Sequence, residues 1–477
     1  MAMTKPAVAV IHYHLRPGGV TRVIERAVES LNDRVDFFCI SGETPASDAA
    51  LFPISGTFRP LEYSEAGPVP DLGKTVAELK ALARDHFGRD PDIWHIHNHA
   101  LGKNSFVPQL VWALANEGAR LLLQPHDFAE DGRAANYALL KNELGETLDQ
   151  ILYPDADHIV YAPINFRDKS FLETIGLSRV RELPNSVTAH KNSTGSPADA
   201  RRKTIVYPAR AIRRKNLGEF LLWSLLAPEG CLFQSTLAPQ NPKWQVYYDE
   251  WVAFAEELGL PVEFDAGRKH DFSELVQQAA ALMTTSIQEG FGLAFLEPWL
   301  EGKNLIGRKL PEITTDFEAE GLDLSGLYDA LPVPLEWAGE EPFFQTLEKV
   351  MHETAAAYSK PWNPAMLDDA KSALVKNGTV DFGILDEELQ RKVIRHLVDH
   401  PEDRKQLPPL PLVPDPDVMD TNRKVAQSNY SQEAYADRLL GIYTDLAATA
   451  PGKITSGNAP ALLDLFLKPE RFNLLRI

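Results

Sequence analysis

Through the first third of the chain, short apolar runs of β type alternate with stretches of helical period. That alternation narrows the possible folds more than any other feature. "AVAVIHY" (7–13) leads through "GGV" to "TRVIERAVESL" (21–31), where Val23, Ala27 and Leu31 recur at helical spacing. "DIWHIHN" (92–98), "RLLLQPHDF" (120–128) and "HIVYAPI" (158–164) repeat the strand-then-loop unit. Strands separated by helices pair as parallel neighbours, which predicts an α/β, doubly wound sheet. Ligands of such sheets sit outside the carboxyl ends of strands. "GGV", "HNH", "PHDF" and "QEGFG" all fall at predicted strand ends.

A segment rich in Ser, Thr, Asn, Gly and Pro, "LPNSVTAHKNSTGSPADARRK" (183–203), reads as a linker. A second alternating series follows it: "TIVYPAR" (204–210), "GCLFQSTLA" (230–238), "PVEFDAG" (261–267) and "AALMTTS" (280–286). At 477 residues the chain is too long for one core. Two Rossmann-like domains, 1–190 and 191–430, are therefore expected, with the ligand site in the cleft between them. Within the second, the Pro-rich and helical stretch of about 330–425 reads as an insertion decorating that half. Residues 431–477 read as C-terminal helices packing back toward the N-terminal domain, with Ser431 as N-cap and Tyr435, Leu439, Ile442 and Leu446 on one stripe.

Charge excludes several classes of partner. Acidic side chains number 67 against 48 basic ones, a net charge of −19, which argues against nucleic acid and anionic membranes. Cys39 and Cys231 stand far apart in apolar settings, which excludes a disulfide framework and a cysteine-based zinc site. No window approaches the roughly eighteen apolar residues of a membrane span, and the N-terminus has no signal-peptide pattern. A cytoplasmic protein is expected; a homo-oligomer is left open.

Against that acidic background, "YPARAIRRKN" (207–216) places Arg210, Arg213, Arg214 and Lys215 just after a predicted strand. Cations at the mouth of a parallel sheet suit a phosphate or diphosphate, although a solvated basic turn would have the same composition. "QEGFGLAFLEPW" (288–299) follows the next strand but two. Gly290 and Gly292 would let backbone N–H groups approach an anion at a helix start, with Glu289 in the loop and Glu297 in the helix's second turn available to hydroxyls. A tight turn flanked by two solvated acids would read the same way. Pro298 is expected to bend the helix just after Glu297.

Taken together, the Arg-x4-Lys-Asn segment (Arg210, Lys215, Asn216) and the Glu-x7-Glu pair (Glu289, Glu297) resemble the donor-binding domain of retaining glycosyltransferases of the GT-B fold, family 4. "PGGV" (17–20), "PHDF" (125–128) and "LPNSV" (183–187) agree, so the resemblance covers most of residues 8–310 and the helix at 431–446. Ala209 stands where that family has Gly, Ser186 replaces the Gly of Pro-Asn-Gly, and "EGKNLIGRKL" (301–310) replaces Gly-x-Pro-Val-Ile.

The resemblance implies a metal-independent hexosyl transfer from a nucleotide-diphosphate sugar (UDP favoured, GDP second) to a soluble acceptor, with no cofactor. Arg210 and Lys215 would neutralise the departing diphosphate, and Gly290, Phe291 and Gly292 would offer it backbone N–H groups. Glu289 would bind donor-sugar hydroxyls, Glu297 the ribose, and His126 would lie by the donor sugar. Gly18 and Gly19 would let the first loop approach donor or acceptor, and Arg268 would line the base pocket. Positive groups fixed at the leaving diphosphate would do most of the stabilising, and attack on the same face would retain the configuration without a carboxylate nucleophile.

Arg22, Lys103 and Arg133 near predicted loop mouths suggest an anionic small acceptor. "HIHNH" places His95, His97 and His99 on one strand face if the strand runs that far. No acid stands at a matching spacing, so substrate-binding or sheet-edge histidines are preferred to a zinc site. The rival readings are a GT-B-like binding or regulatory protein without catalysis, a GT-B phosphorylase or polysaccharide synthase, and a dinucleotide oxidoreductase. The last lacks Gly-x-Gly-x-x-Gly after the first strand.

Overall fold

Ala7–His12 is buried at all six positions, as a strand covered by helices on both faces must be. This strand, β1, lies inside a six-stranded parallel sheet. The computed structural model describes residues 5–45, 54–63, 71–188, 203–410, 412 and 415–476. Most of the segment read as a linker, 189–202, lies outside them. Backbone contacts divide the chain into two units, Met1–Ser186 with Tyr430–Leu467, and Val187–Asn429 with Lys468–Ile477.

In the first unit, β2 (Asp36–Ser41), β3 (Ser55–Thr57), β4 (Ile93–His97), β5 (Leu121–Gln124) and β6 (Ile159–Tyr161) complete the sheet in the order β3-β2-β1-β4-β5-β6. The order reverses between β1 and β4, which opens a crevice at their carboxyl ends. Helix Gly19–Leu31 turns Val23, Ile24, Ala27, Val28 and Leu31 into the core. Helix Gln432–Ala448 returns from the far end of the sequence to add Tyr435, Leu439, Ile442, Tyr443 and Leu446 to that same core. The Ser431 side chain caps it by accepting the Ala434 N–H at 3.1 Å.

In the second unit, β7 (Lys203–Arg210), β8 (Cys231–Leu237), β9 (Val262–Glu263), β10 (Ala281–Thr284) and β11 (Asn304–Gly307) form a parallel sheet in the order β9-β8-β7-β10-β11. Its reversal lies between β7 and β10.

Three expectations need correction. The stretch 330–425 does more than decorate the second half. Leu347, Met351, Val380, Phe382, Leu389 and Val393 share one core with Ile205 of β7 and Phe233 of β8. Besides helices it carries a small antiparallel sheet, β12 (Pro332–Pro334), β13 (Val375–Lys376) and β14 (Thr379–Asp381), in the order β12-β14-β13. The last residues, Lys468–Ile477, belong to the second unit and not with the N-terminal domain, because Phe472 and Leu474 are buried in its core. Finally, β4 stops at His97 and Asn98 adopts φ 55°, so His99 leaves the face shared by His95 and His97.

Candidate functional site

The two segments singled out by sequence meet at the reversal of the second sheet. β7 ends on Arg210; a tight turn, Arg213–Lys215, follows, and Asn216 takes the left-handed φ 53° that starts helix Leu217–Leu226. β10 ends on Thr284, and the Gly-rich loop runs on from it. Hydrogen bonds stitch the two loops together. The Ile287 N–H donates to the Arg214 carbonyl at 2.9 Å, and the Thr285 hydroxyl donates to the carbonyls of Lys215 and Asn216, both at 3.0 Å. From β7 itself the buried Tyr207 hydroxyl reaches the Lys215 carbonyl at 2.8 Å. Lys215 and Glu289 then meet directly, ammonium to carboxylate, with both side chains mostly buried.

The four cations separate. Arg210 is half-buried and donates to the Ala238 carbonyl at 3.1 Å. Arg213 turns to Glu387, with two bonds of 2.7 and 2.8 Å, and its guanidinium stacks 4.7 Å over the Tyr247 ring. It is a structural ion pair, not a member of a phosphate-facing group. Arg214 joins the loops through its carbonyl.

Gly292 has φ 94°, and a Cβ there would come within 2.9 Å of both Ile313 and Phe295. Only glycine meets both demands. Phe291 is buried edge-on against Phe317 and pins the loop from below. The helix expected to start straight after the Gly-rich loop is instead a turn, Leu293–Phe295, followed by one helical turn, Glu297–Leu300. Glu297 is therefore a first-turn residue, not a second-turn one. Pro298 starts the helix where its missing N–H is unneeded, so it does not bend it. Arg268 follows the edge strand β9, is exposed and pairs with Asp265 at 2.9 Å, so the sheet does not bring it to the reversal.

In the first unit the β1 loop leads into helix Gly19–Leu31. Gly18 is extended, and nothing crowds a Cβ at Gly19. Arg22 is exposed on that helix, and the Lys103 ammonium stands 5.6 Å over the Tyr63 ring. Arg133 is committed to its own loop, donating to the Asp127 carboxylate, to the Phe128 carbonyl at 3.3 Å and to the Asp131 carbonyl at 3.1 Å. His126, just past β5, is buried, and burial lowers its pKa to about 3. Among the described residues no group of three or more His, Cys, Asp or Glu side chains is placed to hold a metal ion.

No family model matches the chain. The mannosylglucosyl-3-phosphoglycerate synthase of Petrotoga mobilis is 26% identical over 420 residues, 80% of this chain and 79% of that protein. Among solved structures, HepE from Anabaena in complex with UDP superposes with a TM-score of 0.53 at 12% identity, over 92% of this chain and 99% of that one. Sucrose-phosphate synthase from Thermosynechococcus elongatus gives 0.52 at 13% identity, over 93% of this chain and 100% of that one. The chain has the GT-B glycosyltransferase fold. A glycosyltransferase from Rickettsia africae, with a TM-score of 0.53 at 14% identity, shares the GT-B fold over 93% of this chain.

Sequence reasoning missed two features of this GT-B chain. One is Asn98, whose type was the signal, since Asn takes positive φ more readily than other side-chain-bearing residues. The other is the buried network around Arg308. Arg308 bonds Glu219 at 2.7 Å and Asp381 at 2.7 Å, and the Tyr328 hydroxyl donates to Glu219 at 2.7 Å. Its members lie far apart in sequence, so no local pattern could show it.

Proposed function

We propose that this protein is a retaining, metal-independent glycosyltransferase that moves a hexose from a nucleotide-diphosphate sugar to a soluble, anionic acceptor of the sugar–phosphoglycerate type. The observation that carries the proposal is the meeting of Lys215 and Glu289 at the reversal of the second sheet, where β7 ends on Arg210. Breaking the glycosyl–phosphate bond leaves positive character on the sugar and negative charge on the diphosphate. Arg210 and Lys215 stabilise that anion, where fixed charge acts most strongly. Glu289 both holds the lysine in place and accepts sugar hydroxyls, with Glu297 on the ribose and the Gly290–Gly292 backbone toward the phosphates. The acceptor oxygen attacks the face the diphosphate leaves, and the departing phosphate takes the acceptor's proton.

The acceptor class is supported by the Petrotoga relative, whose product name contains a phosphoglycerate, and by the cations Arg22 and Lys103 of the first unit. A UDP donor is favoured over GDP by the UDP held in HepE.

The test is a product assay with UDP- and GDP-sugars against glucosyl-3-phosphoglycerate, 3-phosphoglycerate and pooled sugar phosphates, with and without exhaustive chelation. New glycoside mass with the donor's anomeric configuration, unaffected by chelator, is expected. A chain that binds nucleotide sugar yet neither hydrolyses nor transfers it would point to the non-catalytic binding reading. Activity restored only by a divalent ion would overturn the metal-free mechanism.

A further inference from the structure

The "HIHNH" segment finds its use around His126. The Asn98 carboxamide oxygen accepts the backbone N–H of His126 at 2.7 Å and that of Asp127 at 3.1 Å. Asn98's own N–H donates to the Gln124 carbonyl at 3.0 Å, so the loop after β5 hangs on the end of β4. One residue earlier, His97 Nδ1 lies 3.0 Å from His126 Nε2, with the ring planes within 15° of parallel and centroids 5.3 Å apart. Two consecutive residues thus fix the backbone and the ring of His126.

Burial keeps both rings neutral at ordinary pH, so a single proton lies between them. In one arrangement His97 Nδ1–H donates to the His126 Nε2 lone pair, and His126 carries its proton on Nδ1. In the other His126 Nε2–H donates, and the His97 proton moves to Nε2. His97 Nε2 is buried without a hydrogen-bond partner, so the second arrangement seals an N–H away from both water and acceptor. A buried orphan N–H is rarer than an unfilled acceptor and costs its desolvation in full.

Neighbouring rings do not relieve it. His95, stacked on His97 at 4.3 Å, spends its nitrogens on the Tyr443 hydroxyl (2.7 Å) and Gln124 (2.9 Å). His12 stands 6.1 Å away between centroids, and its Nδ1 is partnerless as well. His126 Nδ1 is neither bonded within the described residues nor among the sealed, partnerless atoms, and is the ring's open nitrogen.

We infer that His97 is a positioning residue that locks His126 into the tautomer protonated on Nδ1, so that His126 offers its open nitrogen to a ligand oxygen as a hydrogen-bond donor and not as a base. The tautomer stands on the geometry and burial of the pair, while its use toward a ligand in catalysis rests on the transferase reading.

Two-bond ¹⁵N–¹H correlation of the full chain with ¹⁵N-labelled histidine, at neutral pH, decides the first part. The expected His126 pattern is a protonated Nδ1 and a bare Nε2. His97→Asn, whose carboxamide N–H can replace the donor, keeps that pattern, and His97→Ala shows averaging of both tautomers. A protonated Nε2 in the wild type, or an unchanged pattern in His97→Ala, overturns the inference. For the second part, Asn presents an amide N–H near the place of Nδ1 and Gln near that of Nε2. His126→Asn is expected to exceed His126→Gln in kcat/KM by about tenfold, the worth of one hydrogen bond. Equal losses, or Gln ahead, overturn the donor role. A wild type with no transferase activity on any donor would sink the transferase reading, while the spectrum still settles the tautomer.

Discussion

Lys215 reaches the reversal of the second sheet already paired with Glu289. In the proposed transfer, a cation held this way needs no rearrangement when charge develops on the leaving group. Arg210→Ala or Lys215→Ala should lower kcat by roughly 10²–10³-fold, as loss of one charge partner of a transition state does; steady-state rates near wild type in both variants would remove the pair from the mechanism. Glu130 in the first unit illustrates the opposite case. Burial raises its pKa from 4.5 to about 7, and one oxygen accepts the Tyr153 hydroxyl at 2.9 Å while the other has no partner. The folded state therefore prefers the protonated acid. Stability should be full below about pH 4.5 and fall as pH rises to about 7, by a sum on the order of 3 kcal/mol, then stay level. Glu130→Gln should flatten that fall. Urea unfolding of both proteins at pH 5 and pH 8 would show it, and an equal pH slope in the two would exclude Glu130 as its source.

Elements that follow local rules could be read from sequence. β1, β7 and β10 are apolar runs, helix Gly19–Leu31 shows its stripe, and Ser431 announces its cap. The Arg210–Lys215 and Glu289–Glu297 segments were legible for the same reason, since each is short and sits at a strand end. What could not be read depends on distant partners. The Arg213 side chain belongs to Glu387, far along the chain, so composition alone groups it with Arg210 and Lys215. Pro298 reads as a bend in the sequence because nothing local shows that the helix begins only at Glu297. The buried Arg308 joins Glu219 of helix Leu217–Leu226 to Asp381 of β14, and through them ties the late stretch to the second sheet. Burial alone would lower the pKa of Arg308, but Asp381 and Glu219 hold it well above the ordinary value. Arg308→Leu leaves two carboxylates uncompensated and should cost about 3–5 kcal/mol. Adding Glu219→Leu and Asp381→Asn should recover much of that in thermal unfolding; no recovery would mean the arginine acts by packing alone.

At the scale of the whole molecule, each unit is assembled from segments that the sequence separates. The first unit's core takes in Tyr435, Leu439, Ile442 and Tyr443 from beyond the entire second sheet. A chain cut after Asn429 should therefore leave the first unit's apolar helix face bare, bind ANS and lose the cooperative unfolding of that unit. Supplying residues 430–477 in trans, which also returns Phe472 and Leu474 to the second core, should restore it, and a cooperative transition of the first unit without them would show the helix to be dispensable. The same arrangement sets an order of events on the ribosome. The first sheet emerges early, yet the helix that seals it is made only after the whole second sheet, on the order of tens of seconds later at ordinary synthesis rates. In that interval the open face is a natural substrate for chaperones, and a stalled or truncated nascent chain would be marked for removal by the very surface that the finished protein hides.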